Sequence, residues 1–406
     1  MPGLVHCKRC LLPETYETIE FDEHGICNIC RGREFRNEKI DWAGRKRQLD
    51  ALIEEHRGKH DYDCIVPFSG GKDSTFTLWY LVSTYKLKPL VVQFDHGFMR
   101  DRLKENNTRT LKKLGVDVLS FTPNWRVVKR LMLEALRRKG DFCWHCHTGI
   151  FSYPMHVALR YQVPLVLWGE PSAEYTQYYD YKDDQIEEVD ETRFNRFINL
   201  GITAEDMRGM ISHDFEADPR DLAPYTYPPV RELKRLRYRS VCLGSFIPWD
   251  TKKQYGIIQK ELGWQGDEVE GMPWSEWPYE KIECYMQGMR DYIKYLKRGY
   301  GRVSQMVAMD LRNERIAPEK GRRLVEEFEG MKPHSLQIFL DYVGLTEAEF
   351  NEIVARTAVA PHKPDFAIAR WAPKPWDFDR WHRERAGAEA PRARPKIKAV
   401  AGKAEK

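Results

Sequence analysis

The sequence predicts an α/β fold: a doubly wound parallel sheet of five strands, preceded by a small cysteine-bearing module and followed by a helical region. Three observations lead there. Short apolar runs recur between amphipathic stretches of helical period, the pattern of a parallel sheet covered by helices on both faces. One of those runs, Ile65-Val66-Pro67-Phe68, breaks into Ser69-Gly70-Gly71-Lys72-Asp73-Ser74-Thr75 and then into a helical pattern. Six of the nine cysteines fall in C-x-x-C pairs, two of which precede residue 31.

Taken in order, residues 1–40 carry Cys7, Cys10, Cys27 and Cys30 on either side of a hydrophilic, hairpin-like stretch through Asp22-Glu23-His24-Gly25. Two such corners supply four thiolates to a tetrahedral zinc ion, and a segment this short cannot bury enough apolar surface to fold without one. Four thiolates leave no open coordination position, so the role expected of the ion is structural. A helix over about Asp41 to His60, with Trp42, Leu49, Leu52 and Ile53 on its apolar face, connects this module to the main domain. The first strand is Tyr62 to Phe68, and the helix after the loop runs through Phe76, Leu78, Trp79 and Leu81. Leu90 to Phe94 is the second strand, ending at Asp95-His96-Gly97. A helix with Leu103, Leu111 and Leu114 then leads to the third strand, Val116 to Phe121.

A basic amphipathic helix, Val127 to Arg138, precedes Cys143-Trp144-His145-Cys146-His147 and a further helical stretch. The fourth strand, Pro164 to Trp168, ends at Gly169-Glu170, and the fifth is Ser240 to Ile247. These strands make residues 41–248 one domain, interrupted by an insertion at 174–236. From 249 to 360 the pattern is mainly helical, with Thr346-Glu347-Ala348-Glu349 as a capping box before Phe350, Ile353 and Val354. Residues 361–406 end in an alanine-, proline- and base-rich tail, expected to be extended or disordered.

The chain has 406 residues, 42% hydrophobic and 31% charged, which is enough for a substantial core with accessory modules. No apolar run approaches the roughly 20 residues that cross a bilayer, and the N-terminus shows no apolar signal region, so membrane insertion is not expected and a cytoplasmic location is. In a reducing compartment, paired cysteines bind metal rather than oxidise. With 65 basic against 61 acidic residues, charge offers no argument for nucleic acid as the main partner.

The glycine pair lets successive amides turn inward at the start of a helix, forming an anion site. Hydroxyls at Ser69, Ser74 and Thr75, the charge of Lys72 and the Asp73 carboxylate suit a polyphosphate with a bound magnesium ion. The spacing departs from the G-x-x-x-x-G-K-[ST] loop. It resembles instead the SGGxDS signature of the PP-loop ATP pyrophosphatases, whose adenine-nucleotide alpha-hydrolase-like sheet matches the predicted fold. The resemblance implies that ATP is bound by Pro67, Ser69, Gly70, Gly71, Lys72, Asp73 and Ser74, together with Asp95, Gly169 and Glu170 at strand ends. Lys72 and Asp73 would be the catalytic pair. At a strand end Asp95 has a second reading, as a turn residue.

Val163-Pro164-Leu165-Val166-Leu167-Trp168-Gly169-Glu170, the Cys143–His147 element, Arg193-Phe194-Asn195, Phe246-Ile247-Pro248-Trp249-Asp250 and Gly299-Tyr300-Gly301-Arg302 together resemble the N-acetyl sugar amidotransferases of lipopolysaccharide and O-antigen biosynthesis. That resemblance covers Cys7 to about Ala360. It implies conversion of a sugar N-acetyl group to an acetamidino group through an O-adenylyl imidate, with ATP, Mg²⁺ and Zn²⁺ as cofactors. Glu174, Arg193 and Asn195 of the insertion are the expected substrate contacts, among tyrosines that could equally pack on their own domain. No glutaminase nucleophile is recognisable in the chain. Ammonia is therefore expected from separate glutaminase and barrel subunits resembling those of imidazole glycerol phosphate synthase.

Cys143 and Cys146 leave alternatives open: a second metal with Cys242 or Cys284, an iron–sulfur cluster as in some tRNA-thiolating PP-loop enzymes, or reduced thiols with a packing role. The same pair supports the rival function, a tRNA sulfurtransferase. A zinc-bearing scaffold with a regulatory nucleotide site is a third class, disfavoured by the intact loop.

Overall fold

The computed structural model describes residues 3–171, 186, 188–212, 217–367 and 370–379. Within them, β1 (Cys64–Pro67), β2 (Pro89–Phe94), β3 (Asp117–Phe121), β4 (Leu165–Trp168) and β5 (Arg239–Cys242) form one parallel sheet. Their order is β3-β2-β1-β4-β5. In register, Ile65 stands opposite Leu90 on one side and Val166 on the other, and Trp168 opposite Cys242. Every residue of β1 and β4 is buried, as expected of central strands covered on both faces. The order reverses between β1 and β4, so the crevice beyond their carboxyl ends is the place where such sheets take a ligand.

The predicted α/β fold is thus present. Helix α1 (Asn28–Lys39) starts after the third N-terminal cysteine, Cys27, and carries the fourth, Cys30, in its first turn, and α2 (Trp42–His56) is capped by the Asp41 carboxylate, which accepts from the Gly44 amide at 2.9 Å. On one face of the sheet, Leu78 and Leu81 of α3 (Lys72–Tyr85) and Leu103 of α4 (Asp101–Leu114) share a core with Leu165 and Val241. On the other, Met155 and Ala158 of α6 (Trp144–Tyr161) pack on Ile65, Leu90 and Val166. Helix α5 (Trp125–Lys139) presents Val128 and Leu136 to the C-terminal helices. Each of these leucines contributes about 1.5–3 kcal/mol by leaving water.

Beyond β4 the described residues form α7 (Glu191–Arg193), α8 (Ala204–Ile211), α9 (Pro219–Leu222) and α10 (Val230–Leu236). Glu174 and its neighbouring tyrosines, like the basic tail from residue 380, lie outside the described residues. The fifth strand stops at Cys242, short of the expected Ile247, because Leu243-Gly244-Ser245 tightens into a 3-10 turn that brings the Gly244 amide to the Gly169 carbonyl at 3.1 Å.

The C-terminal region is helical: α11 (Thr251–Leu262), α12 (Gln287–Arg298), α13 (Arg302–Arg312), α14 (Pro318–Phe328), α15 (Ser335–Val343) and α16 (Glu347–Arg356). The capping box at Thr346 and Glu349 is formed in both directions. Between α11 and α12, however, residues 263–286 contain no helix. Prolines at 273 and 278 interrupt that stretch, which lies across the ligand edge of the sheet. The N-terminal module docks on the C-terminal helices: Tyr16 and the four cysteines share an apolar cluster with Tyr300 and Ala308. No helix among the described residues is long and apolar enough to cross a membrane.

Candidate active site

The loop after β1 forms where α3 begins. Gly70 sits in the left-handed region at φ +85°, and Gly71 precedes the helix with no side-chain cap on its first turn. The hydroxyls fix the turn: the Gly70 amide donates to Ser74 Oγ at 3.1 Å, the Gly71 amide to Ser69 Oγ at 3.3 Å, and Thr75 Oγ1 donates to the Gly70 carbonyl at 3.1 Å. Ser69 is exposed, and Pro67 is buried at the end of β1.

Lys72 is 1% exposed, with Nζ 2.9 Å from Asp73 Oδ2 and 2.8 Å from Glu280 Oε2. Glu280 is equally buried and is also approached by Arg302 at 3.5 Å, which pairs with Asp291 at 3.4 Å. Burial is the largest single influence on Asp73 and Glu280 and opposes their ionisation, but the neighbouring cations, Lys72 foremost, and hydrogen bonds together outweigh it, so both carboxyls are held below their ordinary range. Across the crevice, the Glu170 carboxyl at the end of β4 faces Asp73. Burial and the Asp73 charge push it up to about 8.

The protonated Glu170 carboxyl hydrogen-bonds the Asp73 carboxylate, and no other group among the described residues donates to the buried Asp73 Oδ1 or Glu170 Oε2. A divalent cation is a group that two such oxygens fit, since it would displace the Glu170 proton and offset the charge of both carboxylates. Gly169 allows this approach, because a Cβ there would lie 2.9 Å from Thr77 Oγ1 and 3.2 Å from the Asp73 carbonyl.

Several residues that build the site had no signal in the loop itself. Trp264 Nε1 donates to the Gly70 carbonyl at 3.0 Å. A Cβ on Gly70 would overlap the amide of Asn107, and one on Gly71 would overlap Glu283 Oε1. Trp264, Glu280 and Glu283 all come from the non-helical stretch 263–286. Its Met272-Pro273-Trp274-Ser275-Glu276-Trp277-Pro278 composition is the cue that could have marked it as an ordered loop.

Asp95 follows β2 and fixes the turn there, accepting from the Gly97 amide at 2.8 Å and the Thr122 hydroxyl at 3.2 Å. Arg193 is buried beside β5, with Nη1 3.9 Å from Cys242 Sγ, and Asn195 Oδ1 accepts from Asn199 Nδ2 at 3.0 Å. These contacts belong to β5 and to the turn after α7 rather than to the loop after β1.

The N-terminal cysteines form a tight group. All four sulfurs lie within 4.8 Å of one another, with Cys7 to Cys30 at 3.9 Å and Cys10 to Cys27 at 3.6 Å. A tetrahedron with metal–sulfur bonds of about 2.3 Å has edges near 3.8 Å, so a metal such as zinc fits. Hydrogen bonds from the other thiols hold Cys7 far below the usual thiol range.

Cys143 and Cys146 belong to no such tight group among the described residues. Cys143 precedes α6, its amide donating to Asp141 Oδ1 at 2.7 Å, and shares an apolar cluster with Cys284; Cys242 lies in a different one. Burial pushes the Cys284 thiol up to about 12 and brings His145 down to about 4 and His147 to about 3, leaving both imidazoles neutral.

Against known proteins, residues 276–378 match the family model described as "LPS biosynthesis protein WbpG-like, C-terminal domain". The chain is 34% identical over 144 residues to an uncharacterized protein of Methanocaldococcus jannaschii, an alignment covering 34% of this chain and 50% of that one. It is 35% identical over 85 residues to the glutamine-hydrolyzing GMP synthase of Pyrobaculum aerophilum, covering 21% of this chain and 17% of the synthase. The chain thus spans about half the length of the first relative and less of the second. The region that brings Glu280 and Glu283 to the loop after β1 is the one that resembles a lipopolysaccharide biosynthesis protein.

Proposed function

We propose that this chain is an ATP-dependent amidotransferase, forming AMP and pyrophosphate, that converts the N-acetyl group of a sugar into an acetamidino group for lipopolysaccharide or other surface-glycan synthesis. The observation that carries the reading is the loop at the sheet's switch point, with a buried lysine beside it and two facing carboxylates across the crevice. The WbpG-like match supports a surface-glycan role, and the likeness to a glutamine-hydrolyzing synthase supports ATP-driven nitrogen transfer.

An amide carbon is a poor electrophile and its oxygen a poor leaving group. Attack of the amide oxygen on the α-phosphorus forms a P–O bond as the bond to the β-phosphate oxygen breaks, and pyrophosphate departs with that electron pair. Ammonia then adds to the imidate carbon, and AMP leaves carrying the former amide oxygen, so nitrogen replaces oxygen. The chain's part is positioning and charge stabilisation: the loop amides, the Ser69 and Ser74 hydroxyls and Lys72 hold the departing phosphates. Mg²⁺ would be held by Asp73 and Glu170, and would neutralise phosphate charge. Asp95 and Gly169 complete the nucleotide pocket, and Glu174, Arg193 and Asn195 are proposed for the sugar.

In this reading residues 1–40, 41–248 and 249–360 are a zinc module, an ATP pyrophosphatase domain and a helical region on which glutaminase and barrel subunits dock. The purified chain should then use ammonium in place of glutamine. A rival sulfur-transfer reading rests on the Cys143 and Cys146 pair, around which no tight group of three metal-ligating side chains forms among the described residues. Mass spectrometry of N-acetylated sugars incubated with ATP, Mg²⁺ and ammonium decides the matter. Replacement of O by NH supports amidotransfer, whereas cleavage of ATP to ADP and orthophosphate refutes it.

A further inference from the structure

The loop after β1 is short of positive charge. Around it stand Lys72, the carboxylates of Asp73 and Glu280, the Glu283 carboxylate against Gly71, and the Glu170 carboxyl, which keeps its proton at neutral pH; Lys72 is already committed to Asp73 and Glu280. Arg302 is likewise shared between Glu280 and Asp291. A triphosphate entering this setting meets net negative charge, and a single divalent cation does not offset both the carboxylates and the phosphates.

The stretch that crosses the loop carries one further cation. Lys281 lies between Glu280, pinned to Lys72 at 2.8 Å, and Glu283, whose carboxylate rests against Gly71. Two fixed neighbours within three residues hold Lys281 at the rim of the site. Its backbone is left-handed, at φ +53°, a conformation that a side chain of this kind adopts at a cost and that recurs at functional sites. Unlike Lys72, Lys281 is part-exposed. Its charge is felt by Asp73, Glu170 and Glu280 alike.

We infer that Lys281, delivered by the C-terminal domain, is a second phosphate-contacting cation of the ATP site and stabilises charge on the departing pyrophosphate. This rests on the ATP-binding reading proposed above. It also gives the WbpG-like domain a direct part in the chemistry: without that domain the nucleotide site lacks half of its lysines.

Two experiments on the full chain test it. An acyl-phosphate derivative of ATP transfers its acyl group to a lysine amine beside the terminal phosphates: an N–C bond forms, the acyl C–O bond breaks, and ATP leaves. Peptide mapping should find Lys281 acylated, and excess Mg·ATP should protect it. Labelling of Lys72 without Lys281, or labelling of Lys281 that Mg·ATP does not block, overturns the inference. Labelling of neither lysine overturns the ATP reading, and the inference with it.

In turnover, Lys281→Met should lower pyrophosphate formation about 100-fold or more while KM for ATP changes less than about threefold, and Lys281→Arg should recover part of the loss. A Lys281→Met turnover within about threefold of the parent overturns the inference while leaving amidotransfer standing.

Discussion

The buried pair of Lys72 and Glu280 joins two segments some two hundred residues apart, and its removal has a calculable effect on stability. At 2.8 Å and an effective dielectric near 20, the gross attraction is about 6 kcal/mol, much of it offset by desolvation. Lys72→Met leaves Asp73 and Glu280 buried without their shared cation and should cost about 3–5 kcal/mol. Glu280→Gln is milder, about 1–2 kcal/mol, because Lys72 retains Asp73 at 2.9 Å and Arg302 retains Asp291 at 3.4 Å. In the double variant the orphaned Glu280 charge is gone, so the cost should fall about 2 kcal/mol short of the sum. Urea unfolding followed by tryptophan fluorescence measures all four corners of the cycle. A coupling below about 0.5 kcal/mol would refute the idea that this pair ties the C-terminal domain to the loop. Because Lys72 and Glu280 are each 1% exposed, raising the salt concentration should leave the coupling unchanged. Asp73 and Glu280 are held below their ordinary range, so their contribution is present at neutral pH and lost as pH falls through that range.

Glu170 behaves in the opposite sense. With its carboxyl at about 8, the metal-free folded chain carries a proton that the unfolded chain has lost, so this contribution to stability declines as pH rises from the ordinary value of 4.5 toward 8. Divalent-ion affinity, measured by calorimetry, should rise over the upper part of that window, and Glu170→Gln should flatten both trends. Gly71→Ala should weaken ATP binding at least about tenfold, since the added methyl collides with Glu283; an unchanged Kd in a nucleotide titration would count against the site. Purified chain should hold one zinc by elemental analysis, and Cys10→Ser should lose it together with protease resistance of the first forty residues. Thr346→Ala, which breaks a capping box far from the loop, should cost about 1 kcal/mol and leave nucleotide binding intact.

The sheet was legible because its central strands are buried on both faces and so read as unbroken apolar runs, Ile65-Val66 and Leu165-Val166-Leu167 above all. The loop was legible for a local reason: glycines, hydroxyls and charges sit at fixed spacing where strand becomes helix. The fifth strand was overrun because Leu243 and Phe246 are as buried as the strand before them, and burial alone does not separate a strand from a 3-10 turn. What could not be read was the second half of the site. Glu280 and Glu283 meet the loop through tertiary packing across two hundred residues, and charged residues in a proline-broken stretch give no periodic signal. For the same reason Cys284, and not Cys242, proved to be the neighbour of Cys143.

Tyr300 and Arg302 are separated by a single glycine. The first is buried against the four N-terminal thiols; the second reaches Glu280, which in turn steadies Lys72. The four-cysteine module and the loop after β1 therefore hang from one pivot. Loss of a metal from those thiols would slacken that pivot, so a zinc-starved chain should lose affinity for nucleotide even though every residue proposed to touch ATP is intact.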